Sequence, residues 1–223
     1  MSEWPTTSDL STALTEAGIT PPASGRLASA LALAVDAWED ATGYYPFAVA
    51  SGAAASAAPL YWPSDASASV IDLGGGILSS TAPTVALDDT TLVAGSDYEL
   101  RPVAAPRKGQ PYTYLYLPNR RLSRHTPEGG LAAHRLVVTG VWGYCAHDAV
   151  PELARQAVLA RAALNIANPA TSAGDATEVV RRIEQGSVTI DYGTSAEERL
   201  AAVRSWESDW AAGLAKYRRQ GVV

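Results

Sequence analysis

Arg135-Leu136-Val137-Val138-Thr139-Gly140-Val141-Trp142-Gly143-Tyr144, with Val150-Pro151 close behind it, is the stretch on which the fold turns. Along it Leu136, Val138, Gly140 and Trp142 share one side, and Val137, Thr139 and Val141 share the other. Successive side chains of a strand point to opposite faces, so this alternation predicts a strand. Pro151 suits the first position of a helix, where no N–H is needed. Leu153, Ala157, Ala160 and Leu164 then repeat at helical spacing, and the alanines among them imply close helix–helix contact. Asn168-Pro169 closes this helix, and 170–175 reads as a loop.

Upstream, from Tyr44 to about Tyr144, the chain is rich in Pro, Gly, Ser, Thr and Tyr and carries short β-like runs. These are Val70 to Leu73, Thr84 to Leu87, Thr91 to Val93, Asp97 to Leu100 and Thr113 to Leu117, with Asp88-Asp89 as a turn signal. Ala50 to Ala58 lacks both charge and large apolar anchors and reads as a mobile loop or spacer. Before Tyr44 two helices are expected. Ser8 caps the first and Gly18 ends it. After the Pro21-Pro22 break, Ser24 caps the second, whose stripe is Leu27, Leu31, Val35 and Trp38, with Gly43 past its end.

Downstream, Val188 to Tyr192 is one more β-like run, preceded by Gly186. Ser195-Ala196-Glu197-Glu198 is a capping box. The helix it opens carries Leu200, Val203, Trp206, Trp210, Leu214 and Tyr217, and Lys216, Arg218 and Arg219 complement the negative end of its dipole. No internal repeat is visible. The expected class is α+β, mainly α: a bundle of about four helices from 1–43 and 150–223, with a small antiparallel β-sheet or sandwich inserted at 44–149.

Composition narrows the function. In 223 residues, 47% are hydrophobic and 18% charged, which supports a packed core. Tyr (10) and Trp (6) outweigh Phe (1). Such rings pair an apolar body with a polar handle and suit interfaces, although a plain β-rich domain would show the same bias. A net charge of -6 argues against whole-protein affinity for nucleic acid and leaves room for a lumen that DNA merely slides through. Cys145 stands alone, so no intramolecular disulfide is possible. With His125, His134 and His147 it shows no zinc-ligand spacing. Met1 to Thr7 has no signal-peptide pattern, and Leu27 to Trp38 is too short to span a membrane. A soluble product made in the cytoplasm is expected.

Candidate chemistry is sparse. Gly74-Gly75-Gly76 lacks the Gly-Lys-Ser/Thr of a phosphate loop and reads as a flexible turn after a strand. The three histidines have no nucleophile motif beside them. Asp65, Asp72, Asp88, Asp89 and Asp97 lack a calcium-loop spacing and read as turn carboxylates. No catalytic residue, metal or cofactor is expected. Arg120, Arg121, Arg124 and His125 form a compact basic loop between Pro118 and Pro127. It is either solvated or a docking loop for an acidic neighbour or for DNA. Trp206, Trp210 and Leu214 either pack on the N-terminal helices or face a neighbouring subunit. The tail from Tyr217, with Arg218 and Arg219, is expected to order on docking.

Three stretches resemble the head-to-tail connector, or head-completion, family of long-tailed phages. The first is Trp38-Glu39-Asp40-Ala41-Thr42-Gly43-Tyr44-Tyr45-Pro46-Phe47, similar to the family's helix end, with Tyr44 where the family has a basic residue. The second is Gly95-Ser96-Asp97-Tyr98-Glu99-Leu100. The third is Val137 to Tyr144 with Val150-Pro151 and the Ala-rich helix after it. The resemblance implies an adaptor ring, commonly of twelve copies, docked to the portal protein and bridging it to a stopper or tail-completion protein. DNA would pass through its lumen without sequence-specific binding, and the chain would sit at the virion neck with no enzymatic activity. Two other readings stay open. One is a β-sandwich binding module of a virion, serving capsid decoration or receptor and tail-fibre attachment. The other is an enzyme of unrecognised type. A ring joins two different faces of each copy and so predicts two separate apolar or aromatic patches, whereas a binding module predicts one concave pocket.

Overall fold

The computed structural model describes residues 3–60, 69–119, 135–167, 183–185, 188–190 and 193–218, with backbone alone at residue 60 and from 183 to 198. Its elements in chain order are α1 (Thr7–Glu16), α2 (Ser24–Thr42), β1 (Ala48–Val49), β2 (Ser56–Leu60), β3 (Val70–Ile77), β4 (Thr84–Leu87), β5 (Thr90–Thr91) and β6 (Glu99–Arg101). There follow α3 (Ala105–Lys108), β7 (Tyr112–Tyr116), β8 (Leu136–Gly140), β9 (Cys145–Ala146), α4 (Glu152–Ala167), β10 (Ile183–Gln185), β11 (Val188–Ile190) and α5 (Gly193–Tyr217). The class is α+β. The described chain divides into two compact units, one running from Gly43 to Ala149 and the other combining the residues up to Thr42 with Val150–Arg218.

In the helical unit, α1 opens two residues earlier than its sequence suggests. The cap is Thr6, not Ser8. Thr6 Oγ1 accepts the N–H of Asp9 at 3.3 Å, while Asp9 Oδ2 accepts the N–H of Thr6 at 2.8 Å. Ser8 has Ser11 three residues on and cannot close such a reciprocal pair. Gly18, at φ +67, ends α1: its N–H reaches Thr15 O at 3.0 Å, and that of Ile19 reaches Leu14 O at 2.8 Å. Ser24 is the first residue of α2 rather than its cap, since the carbonyl of Ala23 accepts the N–H of Leu27.

The buried face of α2 is Leu27, Ala30, Leu31, Ala34 and Trp38, rotated toward the alanines, so that Val35 is half-buried and Leu33 is 61% exposed. Small residues let α2 approach α4, which buries Ala154, Ala157, Ala160 and Ala163. The Pro151 carbonyl accepts the N–H groups of Ala154 and Arg155, which places Pro151 just outside the first turn of α4. Arg155 Nη2 meets Asp9 Oδ2 at 2.8 Å and ties α4 to α1. α5 packs on α4 and α2. It begins at Gly193, ahead of the expected capping box, so Ser195 and Glu198 lie inside the helix. Their three-residue spacing serves a continuing turn as well as a cap. β10 and β11 pair antiparallel.

The β unit has two antiparallel sheets, ordered β2-β8-β4-β5 and β3-β7-β6. They share one core of Ile71, Leu73, Ile77, Val85, Leu87, Leu92, Tyr98, Leu115, Leu117, Leu136 and Val138. β8 buries Leu136, Val138 and Gly140 and leaves Val137 and Thr139 half-buried, as its alternation predicts. Asp88 and Asp89, at φ 49 and 63, turn the chain from β4 into β5.

Two expectations are corrected here. Part of the supposed spacer is a strand: β2 pairs with β8 from Ser56↔Gly140 to Leu60↔Leu136. β8 offers two edges and β4 takes one; the small side chains of β2 fit the other. Pro59 has no N–H to lose at an edge, and Trp142 Nε1 donates to Ser56 O at 3.0 Å. Gly74-Gly75-Gly76 is not a turn but the irregular part of β3, where the register with β7 shifts between Asp72 and Ile77. A Cβ on Gly76, at φ +75, would stand 3.1 Å from Pro111 Cβ and 3.2 Å from Tyr44 Cε1. The glycine is there for close packing.

Candidate assembly interface

Two of the stretches singled out in the sequence meet at an aromatic junction in the β unit. Phe47 stacks on Tyr144 with centroids 4.6 Å apart and planes 8° from parallel, and Tyr44 meets Tyr144 edge-on at 5.1 Å. Phe47 and Tyr44 are buried. The Phe47 carbonyl accepts the N–H groups of Tyr144 (2.9 Å) and Cys145 (3.0 Å), and β1 pairs in parallel with β9. Gly143, at φ +148, is required here, because a Cβ would collide with Val49 Cγ2. The segments by which the chain enters and leaves the β unit are thus locked to each other. The remaining stretch, Gly95 to Leu100, closes a loop of its own. Asp97 Oδ2 accepts the N–H of Val93 at 2.9 Å, and the buried Tyr98 donates its hydroxyl to Pro83 O at 3.1 Å. Burial pushes the Tyr98 phenol pKa up.

On α5 the expected stripe divides. Tyr217 is buried and lies edge-on to Trp38 at 5.9 Å, and Trp210 does the same at 5.6 Å from its half-exposed side. Arg161 sits over the Trp210 ring at 5.6 Å. Trp206 and Leu214 are half-buried, Leu200 is half-exposed, and Arg218 is exposed. Trp210 and Tyr217 are therefore engaged within the helical unit. Arg120, Arg121, Arg124, His125, His134, Asp65 and Arg219 lie outside the described residues.

Other candidate groups take structural places. Asp72 and Asp97 each accept a local backbone N–H, from Gly74 and Val93, while Asp88 accepts that of Arg135, 47 residues on. His147 Nδ1 is 3.9 Å from Asp148 Oδ1 at the surface. Burial pushes the Cys145 thiol pKa up to about 12. Among the described residues no group of three or more His, Cys, Asp or Glu could hold a metal ion, and no helix is long and apolar enough to cross a membrane. Sequence reasoning passed over the exposed apolar side chains Tyr45, Val70, Val93 and Val103 of the β unit and Leu33 of the helical unit. The alternation of Thr113 to Leu117 was the signal for the tyrosine face near Val70.

No protein-family model matches the sequence, and no curated protein matches it either. Among solved structures, the chain is similar to one from the neck of an empty GTA (gene transfer agent) particle computed with C6 symmetry. Identity is 15% and the TM-score 0.42, over 92% of this chain and 83% of that one. It is also similar to a chain from the neck of a native GTA particle computed with C12 symmetry, at 15% identity and TM-score 0.40, over 100% of this chain and 96% of that one. Values this low do not define a common fold, and the functional reading rests on the chain's own residues.

Proposed function

We infer that the chain is a structural, non-enzymatic virion protein: the subunit of an adaptor ring at the head-to-tail connector of a tailed phage. In this reading twelve copies dock to the portal protein, link the capsid vertex to a stopper or tail-completion protein, and line the passage through which DNA moves without sequence-specific contact. The ring sits at the virion neck, and its subunits are made in the host cytoplasm.

The observation that carries the reading is the aromatic junction. The helix-end stretch and the strand-to-helix stretch, remote in sequence, meet through Tyr44, Phe47 and Tyr144 and through the β1–β9 pair. Phe47 and Tyr144 belong to the stretches on which the family resemblance stands, and Tyr44, where the family has a basic residue, completes the junction. Exposed apolar side chains on both units, Val70 and Val103 on one and Leu33 and Leu200 on the other, fit an assembly that uses more than one surface.

The self-contained core of the β unit favours a second reading, a β-sandwich module for capsid decoration or for receptor or tail-fibre attachment. Mass photometry of the purified chain, alone and with its cognate portal, separates the two. A ring-sized species, with or without portal, is expected. Monomers in both mixtures, with the portal verified intact, would refute the adaptor reading and put the module first.

A further inference from the structure

The two halves of α5 are held in different ways. The second half is packed. A Cβ on the buried Gly213 would meet Ala157 of α4 and the Trp38 ring of α2, and Trp38 also lies edge-on to Trp210 and Tyr217. Arg161 of α4 sits over the Trp210 ring. With Ala157 opposite Gly213 and Arg161 opposite Trp210, α4 and α5 run antiparallel. α4 ends at Ala167. At the common rise of both helices, that end lies roughly level with Arg204 of α5. Ahead of this level the packing thins. No side chain in 199–205 is buried, and Leu200 is 50% exposed.

This first half has one fixed polar anchor among the described residues. Arg199 donates to the carbonyl of Gly18, from Nη2 at 2.8 Å and from Nε at 3.2 Å. The rigid fork of the guanidinium lets both donors reach the one oxygen. That oxygen lies at the end of α1, where the last carbonyls have no partner within their own helix and the helix dipole is negative. α1 is therefore gripped near both ends by arginines of other helices, at Asp9 by Arg155 and at Gly18 by Arg199. A helical segment without buried side chains, anchored at one exposed contact, belongs to the parts of a fold that open first.

We propose that the first half of α5 is an arm clasped to the end of α1 by Arg199, and that it opens at this contact while the second half stays packed. Opening frees the arm with Leu200 and Val203 on it and takes from α1 the donor that covers its last carbonyl. The device belongs to a single copy of the chain and does not depend on the adaptor reading.

Hydrogen–deuterium exchange of the full-length chain tests it, read over 199–205, over 207–217 and over the end of α1. In the unaltered chain 199–205 should exchange about tenfold or more faster than 207–217. Arg199→Ala should speed 199–205 by a further three- to tenfold or about that, the amides of Gly18 and Ile19 rising with it. Exchange over 207–217 and the melting temperature should stay as they are. Arg199→Lys keeps the charge and one donor group and should fall between. Arg204→Ala, an exposed site on the same half, should change neither region. Equal exchange along the whole of α5 in the unaltered chain overturns the arm. Arg199→Ala overturns the clasp if it leaves 199–205 unchanged, because Arg199 then holds nothing. It also overturns the clasp if all of α5 speeds up together with a lower melting temperature, because the helix then moves as one piece.

Discussion

Gly213→Ala in α5 puts the helix packing to a numerical test. Glycine inside a helix costs about 0.8–1 kcal/mol relative to alanine, so on propensity alone the substitution should stabilise. The packing opposes it. A Cβ at this position would lie 2.6 Å from Ala157 Cβ, 3.0 Å from Trp38 Cζ3 and 3.1 Å from Trp38 Cη2. Ala157 and Trp38 are fully buried, and neither can swing aside: one contact atom is fixed to the backbone of α4, and the other is the edge of an indole enclosed by Trp210 and Tyr217. Overpacking of this kind costs about 1–3 kcal/mol, and a contact this short belongs at the upper end. The net expectation is a loss of about 1–2 kcal/mol, or roughly 3–6 °C in melting temperature for a chain of this size.

Tryptophan fluorescence during thermal and urea unfolding is the assay, because Trp38 and Trp210 sit at the contact. Gly25→Ala in α2 is the control. Nothing lies within 4 Å of a Cβ there, so propensity should act alone and the variant should be neutral or slightly more stable. The cost of Gly213→Ala should also shrink in an Ala157→Gly background, which removes the closest contact and so reveals the coupling. A Gly213→Ala chain that melts at or above the unaltered protein would refute the packing argument.

Asp9 should make the stability of α1 depend on pH. Its pKa lies below the ordinary carboxylate value, chiefly because it accepts the backbone N–H of Thr6, with the Thr6 hydroxyl and Arg155 adding to the effect against a desolvation penalty. A depressed folded pKa means a contribution that is complete above the unfolded carboxylate value and disappears as pH falls through the folded one. Asp9→Asn should therefore cost about 1 kcal/mol near neutrality and nearly nothing in acid, and equal melting differences at both pH values would contradict this. Cys145, with its thiol pushed up to about 12 by burial, should react with a thiol-specific disulfide reagent about a thousandfold more slowly in the native chain than in denaturant. Prompt native labelling would show that β9 opens readily.

What the sequence discloses, and what it hides, follows from how local each determinant is. The alternation of Leu136 to Trp142 survives into β8 because the strand has one face on the core, and a period of two is then forced. Asp88-Asp89 is legible as a turn for the same local reason. The role of Ser56–Leu60 is not local: four small or cyclic residues and a leucine become a strand because β8 pairs along its second edge, and nothing near residue 56 announces that pairing. Gly74 to Gly76 misled in the opposite way, since glycines signal freedom in sequence, whereas Gly76 answers a steric demand from Pro111 and Tyr44. On α5 the stripe at helical spacing is real, yet spacing alone cannot divide Tyr217, which meets Trp38, from Trp206, which stays half-buried. The tyrosine face went unmarked because its meaning comes from Val70 and Arg101 on neighbouring strands.

The uneven use of aromatics bears on which reading of function is stronger. Phe47, the sole phenylalanine, is fully buried, while Tyr114, Tyr116 and Trp206 sit half-buried. On a solvated sheet face, threonine or lysine would serve β7 as well as tyrosine. Keeping two tyrosines beside exposed valines makes sense where something covers them. A decoration or receptor-binding module could be covered by a foreign surface, but the charge of that surface would place no demand on the rest of this chain. The tyrosine face carries Asp72 and Glu99 beside Arg101, so shape and apolar area, not net charge, would decide what covers it.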